Sequence, residues 1–201
     1  MAIRNVVFDV GNVLFAYTPS KIVEAIFPQN PRNAFYLQEL MLSPLWDRLD
    51  RGDLSALEAV MLLTVGHSDA AVKQEEMLKI IRAFVFHLDL IEQMRDVFVS
   101  LQQTHNVYIL SNFQKDPFNT LLRENPFMET AHGRVISEEV RLAKPERAIY
   151  DLLLNTYGLN PGESLFIDDK AENIQMALNV GMKGIVFSES ISCVTELNRY
   201  L

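Results

Sequence analysis

The sequence is poor in cysteine, with Cys193 alone among its 201 residues. An internal disulfide is therefore impossible, and we expect a protein of a reducing compartment, the cytoplasm. Long apolar runs are also missing, since no stretch approaches the roughly 18 apolar residues that a membrane-spanning helix needs. The first apolar run is interrupted by Asp9, which is not typical of a secretory signal peptide. We expect no membrane segment.

Positive charge is the second scarcity. Lys and Arg total 18 against 26 Asp and Glu, which gives a formal net charge of −8. A generic nucleic-acid binder needs a basic surface, so nucleic acid is not expected as a partner, and neither is an anionic membrane. Hydrophobic residues make up 49% of the chain and charged residues 22%, enough to bury a full core. The length fits one domain, or one domain with an inserted module.

Short apolar runs alternate with helical patterns over most of the chain. Helical patterns with one apolar face cover residues 91–101, 145–158 and 171–180. The β-prone runs lie at residues 6–8, 107–110, 164–167 and 184–187, with a shorter one at 135–136. This alternation predicts the α/β class, with a Rossmann-like parallel sheet core flanked by helices.

Residues from about 19 to 86 show no strand pattern and predict an inserted helical module. Ser55 is placed to cap the start of a helix within it. We expect a core formed by residues 1–16 and 88–201 and a helical cap formed by residues 17–87. No Gly/Ser/Pro linker marks the boundary between the two.

Polar groups follow three of the predicted strands. Asp9, Ser111 and the pair Asp168 and Asp169 come at strand ends. Ligands of open α/β sheets bind beyond the carboxyl ends of the strands, so we expect these groups to meet in one crevice with Lys144. Carboxylates held that close favour a bound cation, and their hard oxygen atoms suit Mg²⁺. A metal beside a lysine suits a small phosphorylated substrate.

These residues lie within four short motifs. In chain order they are Phe8-Asp9-Val10-Gly11-Asn12-Val13-Leu14, Leu110-Ser111-Asn112, Lys144-Pro145, and Ile167-Asp168-Asp169 followed by Asn173. The set resembles the ordered motifs of the haloacid dehalogenase-like (HAD) superfamily, and the helical module lies where that family carries its C1 cap. Within the superfamily, the first motif is most similar to the sugar-phosphate phosphatases that include α-D-glucose-1-phosphate phosphatases. The phosphatase domain of epoxide hydrolases is a more distant relative.

The resemblance implies roles for the first two motifs. Asp9 would be the nucleophile and form an aspartyl-phosphate. The backbone of Val10 and Gly11 would cradle the phosphoryl group, and the Gly11 carbonyl would bind Mg²⁺. Ser111, helped by Asn112, would hydrogen-bond a transferring oxygen.

The resemblance also implies roles for the last two motifs. Lys144 would neutralise charge on the phosphoryl group and on Asp9. Asp169 would ligate Mg²⁺ directly, and Asp168 would do so directly or through water. Asn173 would brace this loop. The implied activity is Mg²⁺-dependent hydrolysis of a small phosphorylated metabolite, and a sugar phosphate is the expected substrate.

Gly11 departs from the superfamily pattern. Most phosphatases of the superfamily carry a second aspartate at this position, two residues after the nucleophile, which protonates the leaving group. Its loss typically costs about 100-fold to 10,000-fold in rate. Three explanations stay open at the level of sequence: another group or a water supplies the proton, the leaving group is an easy one such as an anomeric oxygen, or the protein is a weak or inactive relative.

Two other functions remain as alternatives. A 2-haloacid dehalogenase needs the nucleophile but no metal, although the pair Asp168 and Asp169 argues against it. A binding or regulatory protein that has lost turnover would explain Gly11 but not the other residues. The sequence predicts neither the particular phosphate ester nor the oligomeric state.

Simpler structural interpretations compete at some positions. Asp169 and Glu172 have the spacing of a helix capping box, so Asp169 could merely begin a helix. Trp46, followed by Arg48 and Arg51, fits an ordinary helix surface better than a substrate contact. Tyr17 is placed to lie at the seam between cap and core.

Overall fold

The computed structural model describes residues 2–200 and has a five-stranded parallel sheet at its centre. In sheet order the strands are β5 (Gly133–Ile136), β4 (Asn106–Ser111), β1 (Asn5–Phe8), β6 (Ser164–Asp168) and β7 (Lys183–Val186). All four neighbouring pairs are parallel, which places their carboxyl ends on one edge. The predicted core segments also contain residues 1 and 201, which lie outside the described residues.

Apolar clusters cover both faces of the sheet. Successive residues of each strand point to opposite sides, so alternate residues join different clusters. Val6 and Phe8 of β1 join one apolar cluster, while Val7 between them joins another. Apolar residues at consecutive positions are what a strand buried on both faces requires. The runs that predicted these strands are therefore explained by the layered packing.

The helices of the sheet domain connect its strands, except for the last helix, which follows β7. Gly158 ends one of them in a left-handed conformation, with φ of +62°. The helices are α6 (Glu92–Leu101), α7 (Lys115–Glu124), the short α8 (Ser137–Val140), α9 (Arg147–Tyr157), α10 (Ala171–Asn179) and α11 (Ser190–Leu197). Two 3₁₀ turns, Pro126–Thr130 and Pro161–Glu163, complete this part of the chain.

A second group of helices follows β1. In this group, Ser55 caps its helix as predicted, accepting a hydrogen bond from the Glu58 N–H, while the Glu58 side chain bonds back to Ser55. The helices are α1 (Pro19–Ile26), the short α2 (Asn33–Phe35) leading into a π-helical turn (Tyr36–Met41), α3 (Pro44–Arg51), α4 (Ala56–Thr64) and α5 (Ala70–Ala83), followed by a 3₁₀ turn (Phe84–His87).

A two-stranded antiparallel ribbon joins the two groups of elements. It pairs β2 (Phe15–Ala16) with β3 (Asp89–Leu90), the two points where the chain leaves and rejoins the sheet domain. The ribbon was not predicted, because strands of two residues carry no alternating pattern. The division into core and cap at residues 17 and 88 stays a prediction.

The predicted fold class is confirmed, and the five predicted strands are present within two residues of their expected ends. One helix begins later than expected, since Pro145 precedes α9 and the helix starts at Arg147. Among residues 2–200, no helix is both long and apolar enough to cross a membrane.

Candidate active site

Three adjacent strands bring the predicted polar residues to one place. Asp9 directly follows β1, Ser111 is the last residue of β4, and Asp168 is the last residue of β6. Because β1 lies between β4 and β6 in the parallel sheet, their carboxyl ends are neighbours. All three side chains are buried. The convergence expected from the sequence is present.

Asp9 is held by donors from three parts of the chain. Its Oδ1 accepts hydrogen bonds from the Val10 N–H at 2.7 Å and the Ser111 hydroxyl at 2.8 Å. The Lys144 ammonium lies 2.8 Å from the same oxygen. Burial raises the pKa of Asp9 to about 6, even though Lys144 acts in the opposite direction. Asp9 is therefore fixed in orientation, and at neutral pH its ionised form predominates.

Lys144 lies between two carboxylates. Its Nζ is 2.8 Å from Asp9 Oδ1 and 2.6 Å from Asp168 Oδ2, and its side chain is almost fully buried. Burial alone would lower the pKa of Lys144, but Asp9 and Asp168 more than offset this, and its pKa lies above the usual value. The lysine therefore stays protonated and supplies a buried positive charge beside the Asp9 carboxylate.

Asp168 has both of its carboxylate oxygens occupied by donors of the chain. Oδ1 accepts from the Lys170 N–H and from the Asn173 amide, each at 2.8 Å. Oδ2 accepts from Lys144 and, at 3.0 Å, from Asn173. The bracing contact predicted for Asn173 is thus present. These bonds give Asp168 a clear part in orienting Lys144, in addition to its predicted place near a metal.

Asp169 is partly exposed at the edge of the crevice. Its Oδ2 accepts a hydrogen bond of 2.9 Å from the Asn12 amide. Asn12 adopts a left-handed conformation, with φ of 55°, and its Oδ1 accepts from the Tyr17 N–H. The capping interpretation of Asp169 is wrong, because α10 begins at Ala171 and no side chain caps its N-terminus.

The two polar residues of the second motif, Ser111 and Asn112, contact different partners. Ser111 donates to Asp9, whereas Asn112 uses both ends of its amide on the backbone of Lys144. The Asn112 Nδ2 donates to the Lys144 carbonyl at 2.9 Å, and its Oδ1 accepts from the Lys144 N–H at 2.8 Å. Asn112 therefore positions the lysine, a role that its sequence motif alone did not predict.

The donor set at this point fits a divalent metal ion with oxygen ligands. Asp9, Asp168 and Asp169 each offer a carboxylate oxygen, and these oxygens lie within 4.8 Å of one another. Gly11 lines the same crevice. Oxygen donors around a site open to water suit Mg²⁺, in agreement with the predicted cofactor. With Asp168 strongly bonded to the chain, Asp9 and Asp169 have the freer oxygen atoms.

The crevice is a cleft of about 230 Å³ between the strand ends and the helices that follow β1. Its far wall includes aromatic rings: Trp46 and Phe84 lie 5.2 Å apart, and Phe84 stacks at 5.5 Å on Phe113 of the loop after β4. The residues that line it from this side are Tyr17, Met41, Trp46, Asp47, Asp50, Phe84 and Leu88. Trp46 therefore lines the cleft, contrary to the preferred interpretation of it as helix surface.

Tyr17 lies at the seam, as predicted. Its ring packs edge-on against Phe84, with centroids 6.3 Å apart. Its hydroxyl is buried and has no hydrogen-bond partner within the described part of the chain. Burial and the carboxylates of Asp50 and Asp47 raise the pKa of Tyr17, so the hydroxyl remains neutral. A buried hydroxyl without a partner in a cleft is free to bond a ligand.

Sequence reasoning missed two carboxylates in the cleft, Asp47 and Asp50. They lie one turn apart on α3, a spacing that places both on one helix face. The Asp50 carboxylate accepts a hydrogen bond of 3.2 Å from Gln114, in the loop after β4. The helical spacing was available in the sequence, but the docking of α3 on that loop was not.

Fold and site together define a class: an α/β enzyme with a carboxylate, a lysine and a candidate divalent-metal cluster at the ends of parallel strands. The family profile of haloacid dehalogenase-like hydrolases matches residues 3–181. The chain belongs to this family and is a hydrolase, which confirms the resemblance drawn from the four motifs.

Curated relatives of similar length carry phosphatase names. The chain is 23% identical to a sesquiterpene phosphatase of Aspergillus oryzae, over 96% of this chain and 94% of that protein. It is 24% identical to a D-ribitol-5-phosphate phosphatase of Bacteroides thetaiotaomicron, over 90% of each. The family match confirms the predicted hydrolase, and these two relatives are named as phosphatases.

Solved structures confirm the fold. A HAD-family enzyme of Bacteroides thetaiotaomicron, in complex with magnesium and inorganic phosphate, superposes with a TM-score of 0.73 at 22% identity, covering 93% of this chain and 95% of that one. The L-2-haloacid dehalogenase of Xanthobacter autotrophicus, with chloropropionic acid covalently bound, gives 0.66 at 18% identity, covering 98% and 83%. Enzymes with different names share this fold, so the reaction has to be inferred from the residues of the site.

Proposed function

We propose that the protein is a Mg²⁺-dependent phosphatase that hydrolyses a sugar phosphate through an aspartyl-phosphate at Asp9. The observation that carries this proposal is the buried Lys144 ammonium bridging Asp9 and Asp168, with Asp169 beside them. A fixed positive charge and a cluster of carboxylates that fits a divalent cation suit a phosphoryl dianion better than a neutral substrate.

The residues of the chain supply most of the chemistry. Asp9 attacks phosphorus, the bond to the leaving oxygen breaks, and water then hydrolyses the aspartyl-phosphate to release inorganic phosphate. Ser111 and the backbone of Val10 and Gly11 hold Asp9 and the phosphoryl oxygens, while Lys144 neutralises their charge. Asp168, Asn112 and Asn173 keep Lys144 in place through the hydrogen bonds described above. Catalysis is thus mainly positioning and electrostatics.

Asp9, Asp169 and the Gly11 carbonyl would hold Mg²⁺, with Asp168 close by. When bound, the metal ion offsets the repulsion between the nucleophile and the phosphoryl group and helps to stabilise the charge of the transition state. Lys144 contacts one oxygen of Asp9 and one of Asp168, so its ammonium would add to the neutralisation of charge that the metal ion supplies.

The far wall of the cleft, formed by the helices that follow β1 and called the cap wall below, favours a substrate with a small, hydroxylated leaving group. Both lysines that line the cleft, Lys144 and Lys170, come from the sheet domain, and the opposite wall carries Asp47 and Asp50. A second anionic group on the substrate would face Asp47 on this wall, with both lining lysines on the other wall, which disfavours bisphosphates and phosphorylated acids. Trp46 offers an aromatic face of the kind that packs against a sugar ring, and Tyr17 offers a free hydroxyl.

A second substrate class has its own support. Met41, Phe84 and Leu88 make part of the same wall apolar, and one relative is named a sesquiterpene phosphatase. An apolar phosphate monoester is therefore the alternative substrate. We further propose that residues 17–87 act as a helical cap that sets this choice, and that residues 1–16 and 88–201 form the catalytic core.

A substrate panel tests the proposal. It should contain anomeric and primary sugar phosphates, a polyol phosphate, a prenyl monophosphate and a 2-haloacid, each with Mg²⁺ and with a chelator. We expect phosphate release from a sugar phosphate that the chelator abolishes and added Mg²⁺ restores. Asp9→Asn should lower this rate by about 10,000-fold or more, since it removes the nucleophile.

Each other outcome favours a named alternative. Chelator-insensitive halide release would favour a dehalogenase, and tight binding of a phosphate ester without turnover would favour a binding protein. Faster hydrolysis of the prenyl ester than of every sugar phosphate would favour the apolar substrate class. Full activity of Asp9→Asn would contradict the assigned nucleophile.

A further inference from the structure

Among residues 2–200, the floor of the cleft lacks a group that can protonate the leaving oxygen. Asp9 is the proposed nucleophile, and Lys144 is bound between Asp9 and Asp168. Gly11, beside the nucleophile, has no side chain, and a Cβ placed there would meet nothing within 4 Å. An alkoxide leaves with difficulty unless it receives a proton, so a substrate with such a leaving group calls for a donor elsewhere in the cleft.

Few protonatable groups remain along the cleft walls. No histidine of residues 2–200 lines it, and Asp169 is bonded to Asn12 near the proposed metal site. The remaining groups are Lys170, Tyr17, Asp47 and Asp50. Lys170 and Asp47 have exposed side chains, and the raised pKa of Tyr17 makes it too weak an acid. Asp50, whose carboxyl group is half-buried, is the group of these four that remains.

The end of α3 that carries Asp50 is fixed to the sheet domain. Gln114, itself buried, donates to the Asp50 carboxylate at 3.2 Å. The Ser137 hydroxyl donates to the Asp50 carbonyl. These partners lie in the loop after β4 and at the start of α8, which follows β5, so Asp50 is held above the strand ends that carry Ser111.

Two further contacts reinforce this attachment. Arg51 forms an ion pair with Glu146, two residues after Lys144. Gly52 then ends α3 in a left-handed conformation with φ of +79°, where a Cβ would lie 3.0 Å from a side-chain carbon and 3.2 Å from the carbonyl oxygen of Glu138. Only glycine meets both the backbone conformation and the close approach. The position of Asp50 is therefore set by several contacts with the sheet domain.

The surroundings of Asp50 favour its protonated form. Burial is the largest cause of a pKa well above the usual value for aspartate. Asp47 and Glu138 act in the same direction, while the Gln114 hydrogen bond and Lys170 act against it. A carboxyl kept protonated in a cleft is suited to donate a proton.

We propose that Asp50 is the general acid and base of this hydrolase. This inference rests on the proposed phosphatase function. As Asp9 attacks and the bond from phosphorus to the leaving oxygen breaks, that oxygen takes the proton of the Asp50 carboxyl and departs as an alcohol. The Asp50 carboxylate then takes a proton from the water that attacks the aspartyl-phosphate. The bond between phosphorus and Asp9 breaks, inorganic phosphate leaves, and Asp50 is protonated again.

Asp50→Asn, tested on two leaving groups, measures this role. Single-turnover rate constants with enzyme in excess should be compared for a primary sugar phosphate and for p-nitrophenyl phosphate, whose leaving group is weakly basic and needs no proton. We expect the sugar phosphate rate to fall about 100-fold to 10,000-fold and the p-nitrophenol release to change by less than about threefold. These rate constants do not depend on the fraction of active enzyme, and asparagine keeps an acceptor for Gln114.

Asp47→Asn is the matched control, because it makes the same substitution one turn earlier on α3. We expect it to leave the ratio of the two rates unchanged. Equal slowing of both esters by Asp50→Asn would show a structural role and overturn the inference, and so would no change in either. A parent enzyme that hydrolyses neither ester would instead overturn the proposed function, and this inference with it.

Discussion

The two walls of the cleft differ in how completely their polar atoms are bonded. On the sheet-domain wall, Asp9, Lys144 and Asp168 form a continuous network in which both oxygens of Asp168 are occupied. Beside this network, the Asn173 Oδ1 is buried without a partner among residues 2–200. On the cap wall, the buried Tyr17 hydroxyl has no partner among residues 2–200, and the Asp47 side chain is exposed. The charged groups of the sheet-domain wall are thus bonded to one another before any substrate binds, whereas the Tyr17 hydroxyl of the cap wall is left free to bond a ligand.

This difference matches a division of labour within one reaction. The phosphoryl group is the same in every phosphate ester, so the groups that act on it can be fixed in advance, which lowers the cost of reorganisation. The leaving group varies, and unbonded polar atoms beside an aromatic surface suit hydroxyls that only the substrate supplies. Changes to the sheet-domain wall should therefore affect every substrate, and changes to the cap wall should discriminate between substrates.

The largest effect should follow the loss of the central charge on the sheet-domain wall. Lys144→Met leaves Asp9 and Asp168 buried without their common cation, which typically costs about 3–5 kcal/mol of stability. Phosphate release should fall by about 1,000-fold for all substrates, since the charge also stabilises the transition state. Urea unfolding and steady-state kinetics measure the two effects.

Lys170→Met provides the comparison, because this lysine lines the same cleft with an exposed side chain. It should cost less than about 1 kcal/mol and reduce activity far less. Equal losses of stability in the two variants would contradict the claim that the buried network of Asp9, Lys144 and Asp168 stabilises the sheet-domain wall.

A smaller effect is expected from Ser111→Ala on the same wall. The change removes the hydroxyl that donates to Asp9 at 2.8 Å, without touching the ion pairs of Lys144. The kcat should fall by about 100-fold, and by a similar factor for a sugar phosphate and for p-nitrophenyl phosphate. A loss confined to one of the two esters would indicate that Ser111 acts on the leaving group. It would contradict the claim that the sheet-domain wall acts on the phosphoryl group of every substrate.

The smallest effect should come from Tyr17→Phe on the cap wall. Removal of a hydroxyl that has no partner should leave the free energy of unfolding unchanged or raise it by up to about 1 kcal/mol. The KM for a sugar phosphate should rise by about fivefold, the value of one hydrogen bond, with kcat nearly unchanged. A fall in kcat as large as that of Ser111→Ala would move Tyr17 to the catalytic side.

The sheet-domain wall was largely predictable from the sequence. Apolar runs that end in Asp9, Ser111 and Asp168 indicate both the strands and the polar residues at their ends, and parallel pairing then brings those ends together. The roles of Asn112 and Asp168 in holding Lys144 were not predictable, because they depend on which atom of each side chain meets the lysine.

The cap wall was predictable only in outline. Ser55 correctly indicated a helix start, but the sequence does not say where a helix of the insert docks on the sheet domain. Asp50 reaches the cleft because Gln114 and Ser137, far away in the chain, fix the end of α3. Trp46 was interpreted as helix surface for the same reason: its surroundings come from packing between distant segments, which local patterns do not record.

Trapping of the phosphorylated enzyme tests the central claim most directly. The enzyme should be mixed with Mg²⁺ and a hydrolysed phosphate ester, quenched in acid during turnover, and examined by intact mass and peptide mapping. We predict one added phosphoryl group, located on Asp9, that disappears as substrate is exhausted and does not form in Asp9→Asn. Turnover without any phosphorylated enzyme, or a phosphoryl group on another residue, would contradict the account.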